Sequence, residues 1–329
     1  MAFAQTIPRS LLVWHVHGSW MDSFVAGGHR YLVPVNAPHD PDGRGVGVRE
    51  WPRAREVPYR DLPDHEIDLV VLQRPHEAEM VERVLGRRPG IDLPAVYVEH
   101  NPPRPFAVES RHPIADRDDI PLIHVTAFNR LMWDNGRAPT TVIDHGIADP
   151  GHLYTGDVAA AGALIDEPVR RWRAVGADLL GAFGQSAPVD VWGMGTEDLN
   201  DPPHRCAGVT GHGHIRTGPL MKELAHRRVY LHTARWTSLS LSLLEAMFLG
   251  MPVVAVASTM VPLVVPPEAG VVSADIDTLR AALAGLVADR YLAEVVGKAA
   301  RDYATEHFGL ERFLCEWDRV IEEQCAARP

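Results

Sequence analysis

The chain of 329 residues contains little cysteine and little lysine, with three cysteines in all and lysine only at Lys222 and Lys298. Cys206, Cys315 and Cys325 have neither the spacing of a metal site nor that of a redox pair, which excludes a disulfide framework and fits a reducing compartment. Arginine must therefore supply any side chain that binds phosphate. No apolar run approaches the length of a membrane span, and no basic segment followed by a signal-type core opens the chain. We therefore expect a cytoplasmic protein.

Other absences exclude whole classes of function. Acidic residues outnumber lysine plus arginine by 43 to 32, and the net charge of −11 argues against a general nucleic-acid binder. The sequence has no Walker loop, no dinucleotide fingerprint and no Ser-His-Asp ordering. Two of its histidine pairs, His15 with His17 and His212 with His214, stand two apart, but neither has a second ligand motif at defined spacing. No metal site and no cofactor are predicted.

Length and composition indicate a two-domain globular protein. The chain is too long for one ordinary core, and 46% apolar with 23% charged residues is normal globular usage. Strands and helices alternate, as they do in doubly wound parallel sheets. A stretch dense in proline, glycine and charge, 36–63, is predicted to be a long loop with at most one short strand. The predicted buried strands are 11–16, 31–35, 67–72, 95–98, 122–125, 142–143, 189–193, 229–232 and 252–256.

The stretch from Val229 to Val256 is the most informative, because it combines a strand, a polar loop, a helix with one acid and a second strand. Apolar residues recur at helical spacing after Ser240, and a glycine and a proline then stop the helix. Ser238 or Ser240 can cap this helix, whose positive end suits a diphosphate. Glu245 lies one to two turns into the helix, where it can accept hydrogen bonds from a ribose diol.

The run SLSLLEAMFLGMPVVA resembles the donor-site signature of retaining glycosyltransferases of the GT-B fold, of the family-four type. That signature has two glutamates separated by seven residues, then Ala-Met, a glycine and Pro-Val-Val-Ala. Glu245 matches the second glutamate, Thr237 stands at the first, and Ser238 and Ser240 replace the usual glycines. The resemblance implies that Glu245 holds the ribose, that the amides around Ser240 and Leu241 meet the diphosphate, and that Thr237 faces the sugar.

Three arginines before Gly176 stand where the family carries an arginine and then Lys-Gly, which together clamp the donor diphosphate. Arg170 matches the arginine and Val175 replaces the lysine, so Arg171 or Arg173 has to supply the second charge. Guanidinium groups suit this role because they bind phosphate oxygens in two-pronged fashion. The alternative is an exposed basic start of a helix.

Two further residues are singled out in the first domain. His100 follows a predicted strand, so it should lie at the carboxyl edge of the sheet, where open parallel sheets bind ligands. Many family members have a histidine there that faces the donor sugar, and the alternative is a loop histidine that caps a backbone carbonyl. Gly18 lies in the first loop, where the family uses glycine for close approach of ligands, and the alternative is a turn glycine.

The resemblance implies an α/β architecture with two Rossmann-like domains facing across a cleft. We expect an acceptor-side domain over 1–147, a linker over 148–158, a nucleotide-sugar-binding domain over 159–308 and a crossover helix over 309–329. The segment 144–147 resembles the Pro-Asn-Gly-Val sequence that closes the first domain in the family.

The implied activity is transfer of a sugar from a nucleoside-diphosphate sugar to an acceptor hydroxyl with retention, without a metal. The donor is a substrate, and the acceptor is a glycan, lipid or small molecule. A nucleotide-sugar epimerase or phosphorylase of the same architecture is one alternative. The other is a degenerate, non-catalytic subunit, which the missing glutamate at Thr237 favours. Assembly as a homo-oligomer stays open.

Overall fold

A computed structural model describes residues 7–326. The described chain forms two compact units, one running to Gly146 and including the residues from Leu310 onward, the other spanning Ile147–Gly309. Each unit contains one sheet in which every neighbouring pair of strands is parallel. The strands are β1 Ser10–Val13, β2 Arg30–Val35, β3 Ala54–Pro58, β4 Leu69–Leu72, β5 Ala95–Glu99, β6 Leu122–His124, β7 Thr140–Val142, β8 Val158–Leu164, β9 Val189–Trp192, β10 Val209–Gly211, β11 Arg227–His232, β12 Val253–Val256 and β13 Gly270–Ser273.

Helices lie in most of the connections between these strands, as is usual for parallel sheets. The α-helices are α1 Gly18–Phe24, α2 Glu77–Leu85, α3 Ala127–Met132, α4 Pro168–Arg171, α5 Leu180–Gly184, α6 Thr217–His226, α7 Leu241–Leu249, α8 Val261–Val264, α9 Ile276–Ala288, α10 Arg290–His307 and α11 Leu310–Ala326. Short 3-10 helices cover Tyr59–Asp64, Ala177–Leu179 and Thr196–Asn200. No helix in the part of the chain that the structure describes is long and apolar enough to cross a membrane.

The first unit has a seven-stranded sheet in the order β3-β2-β1-β4-β5-β6-β7. Its central strands are apolar runs that are buried on both faces, which is the pattern of a covered parallel sheet. The C-terminal helix α11 packs on this unit through Trp317, whose ring lies 4.9 Å from Phe24 and 5.8 Å from Trp20. Gly146 allows close packing there, because a Cβ atom on it would lie 2.2 Å from Cβ of Phe313.

The second unit has a six-stranded sheet in the order β10-β9-β8-β11-β12-β13. One face is covered by α5 and α9, whose Phe183, Leu279 and Leu283 are fully buried against Val229 and Leu231 of β11. Helix α7 ends at Gly250, which has the left-handed φ of 93° that a C-terminal glycine supplies.

The predicted strands are present, and the loop over 36–63 contains the one short strand β3. The first strand is shorter than predicted, because α1 begins at Gly18 and the chain turns before it. Gly18 is therefore the first residue of a helix and not part of a loop. Residues of the expected linker pack on the second unit, since the Tyr154 amide donates to Leu249 O at 3.1 Å and the Thr155 amide to Ala225 O at 3.0 Å.

Both sheets reverse their direction of growth once. In the first unit this point lies between β1 and β4, and in the second it lies between β8 and β11. Ligands of open parallel sheets bind outside the carboxyl ends of the strands at such a switch point. A ligand-binding site in the second unit is therefore expected at the loops that follow β8 and β11.

Candidate functional site

The two loops at the switch point of the second unit are hydrogen-bonded to each other. The amides of Arg235 and Trp236, after β11, donate to Ala174 O, after β8, at 2.9 and 3.2 Å. The Thr233 hydroxyl donates to Val175 O at 2.7 Å. The structure thus brings together the two segments in which the sequence predicted the donor site.

Gly176 makes this approach of the loops feasible. Its φ is +73°, and a Cβ atom there would lie 2.0 Å from Thr233 O. Both the dihedral angle and the close backbone contact favour glycine over every other residue. The family resemblance aligned this glycine with the Lys-Gly of the diphosphate clamp, and the structure gives it a steric reason.

Arg173 lies beside a second arginine that the sequence did not predict. Arg235 donates to both carboxylate oxygens of Asp178, at 2.6 and 3.0 Å, and to Arg173 O at 2.9 Å. The Arg173 guanidinium lies 3.1 Å from the same carboxylate, with 73% of its side chain exposed. Asp178 therefore anchors both cations next to the loop after β8. Arg235 and Asp178 are 57 residues apart, and no local pattern links them.

Arg170 lies in the short helix α4 and pairs with Glu167. Its Nε donates to Glu167 Oε1 at 2.8 Å, and its Nη2 contacts Glu167 Oε2. This hydrogen bonding lowers the pKa of Glu167 below its usual range. The Arg170 side chain is 69% exposed, and pairs this exposed contribute little stability. A phosphate can therefore compete with Glu167 for this guanidinium.

Helix α7 begins where the sequence predicted, but the Ser240 hydroxyl does not cap it. Ser240 occupies the capping position with extended backbone, yet its side chain makes no capping hydrogen bond. Its Oγ lies 2.6 Å from Oγ of Ser242, which also accepts a hydrogen bond of 2.9 Å from the Tyr230 hydroxyl. The expected cap by Ser240 is therefore wrong. The Ser240 hydroxyl bonds to the Ser242 hydroxyl, and this bond competes with capping of the helix.

The remaining predicted donor residues lie along this loop and helix. Thr237 is half-buried, and Ser238 is buried in the segment before α7. Leu241 is the first residue of α7, and Glu245 is half-buried in its second turn. Burial raises the pKa of Tyr230, and the nearby Glu245 carboxylate raises it further. These residues thus lie in the loop after β11 and in α7 of the second unit.

Unusual backbone and unpaired polar atoms surround the same strand ends. Glu167 and Trp172 after β8, and Thr259 after β12, have positive φ values of 54°, 28° and 47°. Among the described residues, His232 Nε2 at the end of β11 and Thr259 Oγ1 are buried without a hydrogen-bond partner. Such strain and unsatisfied polarity concentrate at functional sites.

His100 lies where the sequence placed it, directly after β5 at the carboxyl edge of the first unit's sheet. Its Nε2 is 3.0 Å from Oε1 of Gln73, and its ring lies 4.1 Å from the ring of His17. Burial lowers the pKa of His17 to about 4 and that of His100 well below its usual value, so both imidazoles are neutral near pH 7.

Gly18 follows His17 in the chain, and its Cα faces Arg49 and His15. A Cβ atom on it would lie 2.7 Å from Nη2 of Arg49 and 3.3 Å from Nε2 of His15. The structure therefore places Gly18 beside His15 and Arg49. Sequence reasoning did not select Gln73, although a polar residue directly after the apolar run of β4 is a signal that could have found it.

One histidine of each pair has a hydrogen-bond partner in the protein. His15 Nδ1 is 2.9 Å from Gly45 O, and His212 Nε2 is 2.7 Å from Asp190. Within residues 7–326, no group of three or more histidine, cysteine or acidic side chains is arranged to hold a metal ion. The three cysteines are all free thiols.

Residues 173–289 match the sequence model of a family described as Glycosyl transferases group 1. No curated protein sequence matches the chain significantly. HepE of Anabaena, crystallised with UDP, superposes with a TM-score of 0.70 and 14% identity, covering 96% of this chain and all 100% of HepE. Sucrose-phosphate synthase from Thermosynechococcus elongatus has a TM-score of 0.68 and 16% identity over 97% of this chain and 100% of its own. The chain has the GT-B fold.

A third GT-B structure agrees. AviGT4, a glycosyltransferase of avilamycin A biosynthesis, has a TM-score of 0.65 and 15% identity, covering 97% of this chain and 99% of AviGT4. The matched residues 173–289 include Arg173, Gly176, Thr237 and Glu245, whereas Gly18, His100 and Arg170 lie outside them. The family match and the GT-B fold together support a glycosyltransferase, and the match covers the loops after β11 and the end of the loop after β8.

Proposed function

We propose that the protein is a glycosyltransferase that moves a sugar from a nucleoside-diphosphate sugar to an acceptor hydroxyl with retention of configuration. The observation that carries this proposal is the hydrogen-bonded pair of loops after β8 and β11. Arg173 in the first loop, Arg235 in the second loop and the start of α7 lie at the switch point of the sheet, within the segment that matches the glycosyltransferase family. HepE was crystallised with UDP-glucose, so UDP is the first nucleotide to test.

The proposed roles follow from position and charge. Arg170 and Arg173 neutralise the diphosphate together with the positive end of α7 at Ser238, Ser240 and Leu241. Arginine is suited to this role because it stays charged and binds phosphate oxygens bidentately.

Glu245, half-buried in α7, accepts hydrogen bonds from the ribose hydroxyls. Thr237 binds the sugar as hydrogen-bond donor and acceptor. In the first unit, His100 and Gly18 form the edge that binds a ligand hydroxyl.

In the proposed reaction the bond between the anomeric carbon and the diphosphate oxygen breaks, and the acceptor oxygen bonds to the same face. The acceptor hydroxyl proton leaves with the departing diphosphate or to solvent. Fixed positive groups stabilise the negative charge that develops on the leaving diphosphate. We propose that the arginines supply this charge, so that added chelator leaves turnover unchanged.

A panel of nucleotide sugars in a thermal-shift assay tests donor binding. The donors that bind are then incubated with glycan, lipid and small-molecule acceptors, and the anomeric configuration of the product is read by NMR. We expect one donor to raise the melting temperature and to give a product with the configuration of the donor. An inverted product contradicts retention, and a panel without any binding donor contradicts the proposed function.

The second candidate is a degenerate subunit that binds a nucleotide sugar without turning it over. Thr237 favours it, because the family carries there a glutamate that contacts the sugar. Loss of that contact affects the transition state more than nucleotide binding. A parent protein that binds donors but neither transfers nor hydrolyses them, together with a Thr237→Glu variant that gains hydrolysis, supports this candidate.

A further inference from the structure

Gln73 and His100 follow the carboxyl ends of the adjacent strands β4 and β5 and are hydrogen-bonded to each other. Gln73 is 6% exposed, and its Nε2 donates to Trp14 O at 2.7 Å. Its Oε1 lies 3.0 Å from Nε2 of His100. The three residues therefore form a chain of hydrogen bonds along the edge of the first unit's sheet.

The chemistry of the groups determines the direction of each hydrogen bond. A backbone carbonyl such as Trp14 O only accepts, so the NH2 of Gln73 has to face it and Oε1 has to face His100. Oε1 also only accepts, and His100 Nε2 must therefore carry a proton. A neutral imidazole has one proton, which leaves Nδ1 of His100 with a lone pair.

A hydrogen bond to Glu77 fixes the backbone at Gln73. The backbone amide of Gln73 donates to Oε2 of Glu77 at 2.6 Å, and the Glu77 side chain is fully buried. Arg74 Nε donates to the other oxygen of Glu77 at 2.7 Å. A buried carboxylate that is satisfied in this way holds the backbone after β4 in one conformation, and with it the start of the Gln73 side chain.

The His100 ring is also fixed, and its second nitrogen is left for a ligand. The ring contacts the His17 ring, with centroids 4.1 Å apart, and the Trp20 ring, with centroids 5.0 Å apart in a T-shaped arrangement. Nδ1 has no hydrogen-bond partner within residues 7–326, and it is not among the fully buried atoms that lack one. Nδ1 therefore reaches the surface of the first unit as a hydrogen-bond acceptor.

We propose that Gln73 is a positioning residue that fixes the Nε2–H tautomer of His100, so that Nδ1 accepts a hydrogen bond from a hydroxyl of the substrate. The inference rests on the proposed function for the identity of the ligand as a donor sugar or an acceptor. The substrate group at this place must donate a hydrogen bond. A hydroxyl satisfies this condition, whereas a carboxylate, as in a uronic acid, does not, because it would place two acceptors against each other.

The tautomer is measured directly by NMR on protein labelled with nitrogen-15 histidine. The His100 signals are assigned from the spectrum of a His100→Gln variant. We expect a protonated Nε2 and an unprotonated Nδ1 in the parent protein near pH 7. In Gln73→Met the tautomer should redistribute, while Gln185→Met, an exposed glutamine of the second unit, leaves it unchanged. A parent His100 protonated at Nδ1, or an unchanged tautomer in Gln73→Met, overturns the inference.

Kinetics separate positioning from a merely structural role. Gln73→Met should lower kcat/KM by about tenfold, the rate equivalent of one hydrogen bond. A rise in KM for the donor identifies the donor sugar as the source of the hydroxyl, and a rise in KM for the acceptor identifies the acceptor.

The Gln73→Glu variant keeps the shape of the side chain but places a carboxylate beside Nε2. It should therefore raise the pKa of His100 and move the acid limb of kcat/KM upward by about one pH unit. An acid limb that stays in place contradicts the inference. The NMR result does not depend on turnover, so failure to find any donor removes the proposed function and leaves the tautomer assignment to be judged separately.

Discussion

Gly176→Ala tests the approach of the two loops that carries the proposed donor site. An alanine at the φ of 73° is strained by about 1 kcal/mol, and its Cβ atom would lie 2.0 Å from Thr233 O. The loops must separate, which breaks the two hydrogen bonds to Ala174 O and the one from the Thr233 hydroxyl. At about 1 kcal/mol for each bond, we expect the free energy of unfolding to fall by about 4 kcal/mol in total.

The matched control is Gly195→Ala in the same unit. Gly195 has the same φ of 73°, but the nearest atom to a Cβ atom there is Cα of Glu167 at 3.9 Å. The control therefore contains the dihedral strain without the steric clash, and we expect a loss of about 1 kcal/mol. Urea unfolding followed by circular dichroism measures both variants. Equal losses in the two variants would show that the loops do not depend on this close contact.

Gly176→Ala should also weaken nucleotide binding, because it displaces the segment that holds Arg173. Gly86→Ala in the first unit is the control, since Gly86 has a φ of 65° with no atom within 4 Å of a Cβ atom. Titration calorimetry with UDP compares the two variants, and we expect weaker affinity for Gly176→Ala alone. The explanation fails if both variants bind UDP as the parent does.

Three further perturbations follow from the structure. Ser240→Ala should change the free energy of unfolding by less than about 0.5 kcal/mol, because the Ser240 hydroxyl does not cap α7. Thr126→Ala should lower it by about 1 kcal/mol, because the Thr126 side chain accepts a hydrogen bond from the backbone amide of Asn129. Comparable losses for the two variants in urea unfolding would contradict this prediction. Burial lowers the pKa of His124 from 6.5 to about 4. As the pH falls, His124 is therefore protonated in the unfolded chain at a higher pH than in the folded protein. The free energy of unfolding should fall by up to about 3 kcal/mol as the pH is lowered from 6.5 towards 4. His124→Gln should flatten that slope in pH-dependent unfolding, and an unchanged slope would refute the assignment. Arg173→Ala should weaken a nucleoside diphosphate far more than the nucleoside, with a strong dependence on salt; equal weakening of both ligands in calorimetry would place Arg173 away from the diphosphate.

Most of the strands were predictable because continuous apolar runs such as Leu69–Leu72 are buried on both faces of a parallel sheet. Helix α7 was predictable from its period and its terminal glycine. The strands β8, β10 and β13 were not predicted. β10 has only three residues, which are too few to establish a period in the sequence.

The side-chain partners in the site were much less predictable than its segments. The sequence located the loop after β11 and its helix, but the pairing of Arg235 with Asp178 arises from tertiary approach. The same holds for the Ser240 hydroxyl, where a cap and a bond to Ser242 are both compatible with the sequence. In the structure the Ser240 hydroxyl bonds to Ser242, which Tyr230 also reaches from β11.

The central claim is that a nucleoside diphosphate binds at α7 through Glu245, and titration calorimetry of UDP against Glu245→Ala tests it most directly. The variant loses one or two hydrogen bonds to a charged group, on the order of 1.5–3 kcal/mol each, so the Kd should rise at least about tenfold. Glu294→Ala, an exposed glutamate of α10, is the protein control, and a UDP analogue without ribose hydroxyls is the ligand control. We expect weaker UDP binding to Glu245→Ala alone and no difference between the proteins with the analogue. Equal UDP affinity in parent and Glu245→Ala would contradict the assignment.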